Sequence, residues 1–515
     1  MGRGARRGEG RHPRQLLRPV HDNFFDLGGD SILSIQVISR ARQAGQQLTS
    51  KLLFVHQTVA ELASVVTSIE DSTAAPESAE ASGPVELTPI QRWFFDEHTG
   101  HPDHHAMSVQ VALAPGTDPV LLKRALTAVV DHHDALRMRY ARDGSDTWTQ
   151  EYGEGHEGLL AVRDIGDGDM EPALHQAALE AQRALDLRTG ALVKGVFLRL
   201  SADAAPRLFL AVHHLVMDGV SWRIVLEDLA VVYGQLAAGV AADLGAKSSS
   251  YQLWSRRLAE LVRSGGLDHE TAYWQKTSGA GDIPCDGAGS GTYRDLAVES
   301  VQLGHAETQA LLHRVPAVFR TQINDVLLAA LGRVLAGWAG TPVTIALEGH
   351  GREELFDDVD LSRTVGWFTT LYPVTLDVPT GDWGQALKTV KKGLRKLPGR
   401  GLGYGALRYL SEPGSPAQTA LTVAPHPRIS FNYLGQWGDT TSETGLIRDR
   451  LDGLGADQAP DQPRPHLIDI VAAVSDGELR IDWMHSPTTH TPATVRRLAE
   501  EYLTALRQII ATAGN

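Results

Sequence analysis

The sequence predicts an α/β chain of two lobes preceded by a short separate unit. Three observations predict it. From residue 85 onward, runs rich in β-branched and apolar residues alternate with helical runs, the pattern of an α/β protein. The 515 residues exceed what one ordinary domain holds. And the stretch "DSTAAPESAEASGP" at 71–84 is small, polar and proline-containing, as a flexible linker is. The expected division is an arginine-rich start (1–20), a short unit (21–70), the linker (71–84), an N-terminal lobe (85–265) and a C-terminal lobe (266–515).

Taken in order, the first twenty residues hold six arginines, four glycines and two prolines, so they make no core-facing helix. In the short unit, "DNFFDLGGDSILSIQVI" places a Gly28-Gly29 turn before Asp30-Ser31. Ser31 then opens a helix with Ile32, Ile35 and Ile38 on one face. Thr58 and Glu61 offer a capping box to a later helix, "VAELASVV". Beyond the linker the strands are "MSVQVAL", "RLFLAVHHLV", "PVTIALEGH" and "TLYPVTLDV". The helices between and after them are "DPVLLKRALTAVVDHHDALR", "TQINDVLLAALGRVLAGWA" and "PATVRRLAEEYLTALRQIIA". No repeat at solenoid period occurs.

Bulk properties remove several function classes. A net charge of −14, from 48 Lys+Arg against 62 Asp+Glu, argues against a nucleic-acid partner. The single Cys285 excludes a disulfide framework and a cysteine zinc site, and fits a reducing cytoplasm. The longest apolar run, near Val326 to Ala339, carries Arg333 and two glycines, so no membrane span is expected. The basic start lacks the apolar stretch of a secretory signal.

The stretch that bears chemistry is "VHHLVMDGVSWRIVLEDL", Val212 to Leu229. Neighbours on a strand point to opposite faces, so His213 and His214 do not chelate one metal together. After Asp218-Gly219, apolar residues Trp222, Val225, Leu226 and Leu229 recur at helical spacing. His214 therefore sits at a strand-to-helix loop facing a cleft, where a near-neutral imidazole is suited to taking a proton. An acyl-transfer base, a proton-abstracting base and a buried polar pair all remain open on these residues alone.

Two resemblances narrow this. "LGGDS" resembles the attachment site of peptidyl carrier domains from nonribosomal peptide synthetases, which implies 4'-phosphopantetheine covalently on Ser31. A phosphodiester at a helix N-terminus agrees with that, since unpaired backbone N–H groups face it. The resemblance implies a small all-α carrier domain; its first helix should fall within 1–20, where no helical pattern is present, so the carrier is expected to be partial. The GGDSI form is the one seen before epimerization domains.

HHxxxDG is shared by the chloramphenicol-acetyltransferase-like superfamily, which includes condensation domains. That likeness implies a catalytic second histidine, His214, with His213 structural. It also implies an architectural Asp218 paired with an upstream arginine, matched here by Arg137. Five more stretches, "LTPIQRWFF", "LEGHGRE", "RTVGWFTTLYPVTL", "GLGYGALRYL" and "ISFNYLGQ", follow in the order of epimerization domains. The resemblance covers 85–515. It implies cofactor-independent L-to-D epimerization of an aminoacyl or peptidyl thioester, with His214 and Glu348 as the two proton-transfer groups. Tyr433 and Asn432 would stand near the thioester, while Gln91, Trp93, Trp367 and Tyr372 read as lining or packing. Neither a metal nor any cofactor beyond the pantetheine arm is implied. Implied partners are an adenylation domain, a phosphopantetheinyl transferase and a downstream D-selective condensation domain. The rival readings are a condensation domain forming a peptide bond, and a non-catalytic docking module.

Overall fold

The computed structural model describes residues 20–514, except 26, 28, 30, 69–81, 145–146, 154–157, 167–169, 201–203, 278–282, 438–444, 452 and the side chain of Ile32. The arginine-rich start, the expected position of the first carrier helix, Gly28, Asp30 and most of the 71–84 linker lie outside the described residues.

The small unit contains helices Ser31–Gln43, Ser50–Val55 and Val59–Ala63. Ile35 and Ile38 are buried as their helical spacing requires, together with Leu53 of the second helix. Thr49 and Thr58 cap the second and third helices, their hydroxyls accepting from Leu52 N at 3.1 Å and Glu61 N at 3.2 Å. The last helix closes at Ala63, shorter than "VAELASVV" suggested.

The large unit is built on two principal sheets. One has five strands in the order Ile447–Leu451, Ala106–Leu113, Arg207–His213, Val193–Arg199, Leu160–Asp164. The other has six, in the order Ala297–Leu303, Glu478–His485, Ile468–Ser475, Ile429–Trp437, Val343–Gly349, Thr370–Leu376. Helices cover them: Pro119–His132 packs on Gly219–Ala237, and Ile323–Ala339 packs on Pro492–Thr512. The strand runs that carry no alternation in the sequence, such as Leu208–Val212, are buried on both faces. No helix among the described residues is long and apolar enough to cross a membrane.

The two sheets are not fully separate in sequence. Ile447–Leu451 comes from the C-terminal half, yet it pairs antiparallel with Ala106–Leu113 at the edge of the first sheet. The segment before it, Ile429–Trp437, stays in the second sheet. The chain thus crosses from one lobe into the other and back.

Candidate functional site

The site forms where strand ends from both sheets meet. Strand Arg207–His213 ends at His213, a short 3-10 turn holds His214–Val216, and Asp218 caps helix Gly219–Ala237. The Asp218 carboxylate accepts from Ser221 N at 2.7 Å, as an N-cap aspartate does. His213 is fully buried; its Nε2 lies 2.7 Å from Pro102 O and its Nδ1 accepts from Leu215 N at 3.2 Å. Both ring nitrogens of His213 are thus occupied by backbone partners.

His214 is half-buried, its backbone N–H donating to His105 O at 2.9 Å. Its ring lies 4.3 Å from the Trp367 ring and 5.4 Å from the His105 ring, centroid to centroid. His98 packs in turn on His105 at 4.6 Å. Burial lowers the His214 pKa, with nearby backbone groups and Asp218 pulling the other way, so the imidazole is held neutral. A neutral imidazole is a base ready to accept a proton.

The expected pairing of Asp218 with Arg137 is corrected by the structure. Arg137 donates to Asp134 at 2.7 Å. Asp218 instead faces Arg352, whose Nη2 donates to both carboxylate oxygens at 3.1 and 3.2 Å. The same guanidinium reaches Leu361 O, Thr364 O and Ser221 Oγ, and lies 4.1 Å over the Phe368 ring. A carboxylate that caps a helix and is buried needs a partner that is buried beside it, and Arg137 stays partly exposed at the surface. Arg352 reaches inward because Gly351 turns the chain at φ 66°; a Cβ there would lie 1.6 Å from Phe368 O.

Glu348 stands near the end of strand Val343–Gly349, in the other sheet. It does not bridge Arg352; Asn432 Nδ2 donates to its Oε2 at 2.6 Å. Burial raises the Glu348 pKa to about 7, with His466 opposing and Asp469 adding to the rise. Asn432 and Tyr433 are neighbours on strand Ile429–Trp437, yet both line the same cavity as Glu348. The strand's register shifts between Tyr433 and Gln436, and Gly435 takes φ 74°. Arg223 of the capped helix holds this irregularity by donating to Leu434 O and Gln436 O at 3.4 and 3.0 Å.

The cavity has a volume of about 1180 Å³, and its wall includes Glu348, Asn432, Tyr433, Asp218, Arg223, Arg400, Gly29 and Ser31. His214 does not line it and stands instead against Trp367. The small unit thus brings Ser31 to the mouth of the cavity. Four contacts hold it there: Arg42 to Asp360, Arg363 Nη1 to Ser39 Oγ at 3.4 Å, Glu354 to the N–H groups of Ser50 and Lys51, and the Arg400 guanidinium 4.7 Å over the Phe54 ring. Glu354 is an acid at a helix N-terminus, where the dipole favours it. Charge reversal at both acidic anchors, Glu354→Lys with Asp360→Lys, is expected to release the unit; small-angle scattering should show a larger radius of gyration, and an unchanged radius would refute the docking.

Residues 81–514 match the family model described as "Condensation domain". The chain belongs to the condensation-domain family. Residues 13–66 match the model of the phosphopantetheine attachment site, with Ser31 inside it. A 4'-phosphopantetheine carrier domain therefore precedes the condensation-family domain, the arrangement of a nonribosomal peptide synthetase fragment. The chain is 43% identical to one of the linear gramicidin synthase proteins of Brevibacillus parabrevis and 38% identical to surfactin synthase subunit 1 of Bacillus subtilis (strain 168). These alignments cover 96% and 95% of this chain but only 6% and 14% of those relatives. Among solved structures, the epimerization domain from the third module of tyrocidine synthetase B superposes with a TM-score of 0.79 at 34% identity, over 86% of this chain and 99% of that one. The first condensation domain of the CDA synthetase shares the fold at a TM-score of 0.61 and 19% identity, over 84% and 97%.

In this condensation-family domain the structure brings Glu348, Asn432, Tyr433 and Ser31 to one cavity. Asp218 and Arg352 tie the His214 loop to the strand end that bears Glu348. Arg137 stands apart. Sequence reasoning missed Arg352 as the partner of Asp218; Trp367, read as lining, does border a cavity and also packs on His214. The signal for Arg352 was its place in "LEGHGRE", four residues past Glu348. Trp367 carried no signal of its own; only the fold sets it against His214. Among the described residues no group of three or more His, Cys, Asp or Glu side chains is arranged to hold a metal ion.

Proposed function

We propose that this domain epimerizes, from L to D at the α-carbon, an aminoacyl or peptidyl thioester carried on Ser31. The observation that carries the reading is Glu348, an acid with pKa about 7 held by Asn432 in the cavity that Ser31 enters. Condensation chemistry gives that carboxylate no task. Epimerization needs two proton-transfer groups, one to take the α-proton and one to return it, and a neutral His214 with a Glu348 whose pKa is raised by burial supplies them.

The pantetheine arm fits this site: Ser31 lines the cavity, and the guanidinium groups of Arg223 and Arg400 in the same wall suit its phosphate. When bound it supplies the thioester that makes the α-hydrogen acidic. The residues of this chain do the rest. His214 and Glu348 exchange roles: one accepts the α-proton while the other delivers a proton to the opposite face. Asn432 orients Glu348 through its amide, and Tyr433 beside it is placed to donate to the acyl oxygen as charge develops there. The reaction runs both ways, so a D-selective condensation domain downstream would choose the product. An adenylation domain would choose the amino acid, and a phosphopantetheinyl transferase would install the arm, all in the cytoplasm.

Loading an L-aminoacyl pantetheine onto Ser31 in deuterium oxide tests the reading. Deuterium should enter the α-carbon and both enantiomers should appear. His214→Ala should slow exchange by roughly 10²–10⁴-fold, the span of a lost acid–base group. Amide formation with an offered amine and no exchange would favour condensation; neither reaction would favour a non-catalytic docking role.

A further inference from the structure

A second cavity, of about 650 Å³, lies beside the first and has no part in proton transfer. Trp93, Trp254, Leu258, Trp367 and Leu402 are among the apolar residues of its wall. Thr369 and Tyr372 line both cavities, so the two adjoin. The Trp367 ring that borders it is the one lying 4.3 Å from His214. Trp367 therefore touches both His214 and this cavity.

Its lining is mostly apolar, and several of its polar groups already have partners, although the Trp367 indole N–H has none among the described residues. Arg408 reaches Tyr404 Oη at 3.3 Å and His426 Nε2 at 3.0 Å, and Thr88 Oγ1 and Tyr251 Oη are paired at 2.9 Å. A polar substituent placed there would lose water and gain little. An apolar one would lose nothing and fill a space among aromatic rings.

Resting on the epimerization reading, we infer that this cavity receives the side chain on the α-carbon of the bound acyl group, and that it selects apolar side chains. The side chain is joined directly to the carbon that His214 serves, so it is the substituent that must lie next to Trp367. The arm enters from the Ser31 side, through the more polar cavity, and leaves this one free.

The full chain and the N-acetylcysteamine thioesters of L-phenylalanine, L-leucine, L-serine and L-leucyl-L-serine provide the test, read as α-deuterium incorporation. Phenylalanyl and leucyl thioesters should exchange with kcat/KM about 10-fold or more above seryl, within the span that hydrophobic pockets achieve. Gly405→Leu grows a side chain from the cavity wall, where a Cβ would already lie 3.2 Å from Pro89 Cβ. It should cut the phenylalanyl rate about 10-fold and leave the seryl rate unchanged, by the same pocket arithmetic. Leu258→Ala enlarges the wall and should shift preference from leucyl toward phenylalanyl, which guards against misfolding of the first variant. Equal rates for phenylalanyl and seryl thioesters, unmoved by either variant, would overturn the inference and leave epimerization standing. Rescue of serine by an upstream leucine would also overturn it, assigning the cavity to the preceding residue. No exchange from any thioester would overturn the epimerization reading, and the inference with it.

Discussion

Glu348→Gln should abolish α-proton exchange, by about 10³-fold or more, while leaving the fold at least as stable as the parent. Glutamine keeps the shape and still accepts from Asn432 Nδ2 through its Oε1. It cannot take up or give a proton. The stability half of the expectation follows from the sign of the pKa shift. The carboxyl is raised from 4.5 to about 7 in the fold. The folded state thus binds more protons than the unfolded chain between those values, and stability falls as pH rises across that window. Once ionised, the group costs the fold on the order of 3 kcal/mol before cavity water is allowed for. Glutamine carries no such cost, so urea melts at pH 8 should show Glu348→Gln equal to or above the parent. The pH profile of the parent supplies a second readout. On the proposed mechanism one of the two groups must hold a proton to return, and Glu348 gives its proton up as pH passes about 7. Exchange should therefore decline above pH 7. A Glu348→Gln enzyme that exchanges at the parental rate would remove Glu348 from the chemistry.

Arg352→Met should cost about 3–5 kcal/mol of stability, the usual price of breaking one partner out of a buried ion pair. Asp218 would keep its bonds from Ser221 N and Phe368 N but lose the charge that neutralises it. Three other acceptors, Leu361 O, Thr364 O and Ser221 Oγ, would lose a donor at once. Adding Asp218→Asn should return part of the loss, because the buried charge goes too; a double-mutant cycle in urea measures the coupling. Exchange should fall as well, since the pair ties the His214 loop to the strand that carries Glu348. A loss under about 1 kcal/mol for Arg352→Met would mean the pair does not anchor the site.

How much of this was legible in the sequence depends on range. His213 ends its strand and is buried with both nitrogens occupied, while His214 begins the 3-10 turn that follows, so the loop after the strand that the local pattern announced is where His214 stands. The amphipathic helix after Asp218 is legible for the same local reason. The partner of Asp218 was not. Arg137 and Arg352 lie on either side of it in sequence, and only tertiary burial separates them: Arg352 sits inside, Arg137 stays nearer water. That Asn432 and Tyr433, neighbours on one strand, both border one cavity is a tertiary fact that no periodicity announces. Ile447–Leu451 reads locally as a strand of its own half; its pairing with the other lobe's sheet is a property of the whole chain.

That crossed strand has a mechanical meaning. Many two-lobed enzymes admit substrate by swinging on a hinge, which requires that few bonds span the cleft. Here a strand from one lobe is laddered into the sheet of the other, and Arg223 fastens carbonyls of the strand that precedes it. Swinging the lobes apart would strip that edge, at about 0.5–1.5 kcal/mol for each backbone hydrogen bond given up. The lobes are thereby fastened as one body, and on the proposed function the acyl group would reach the site by threading through the mouth that Ser31 lines.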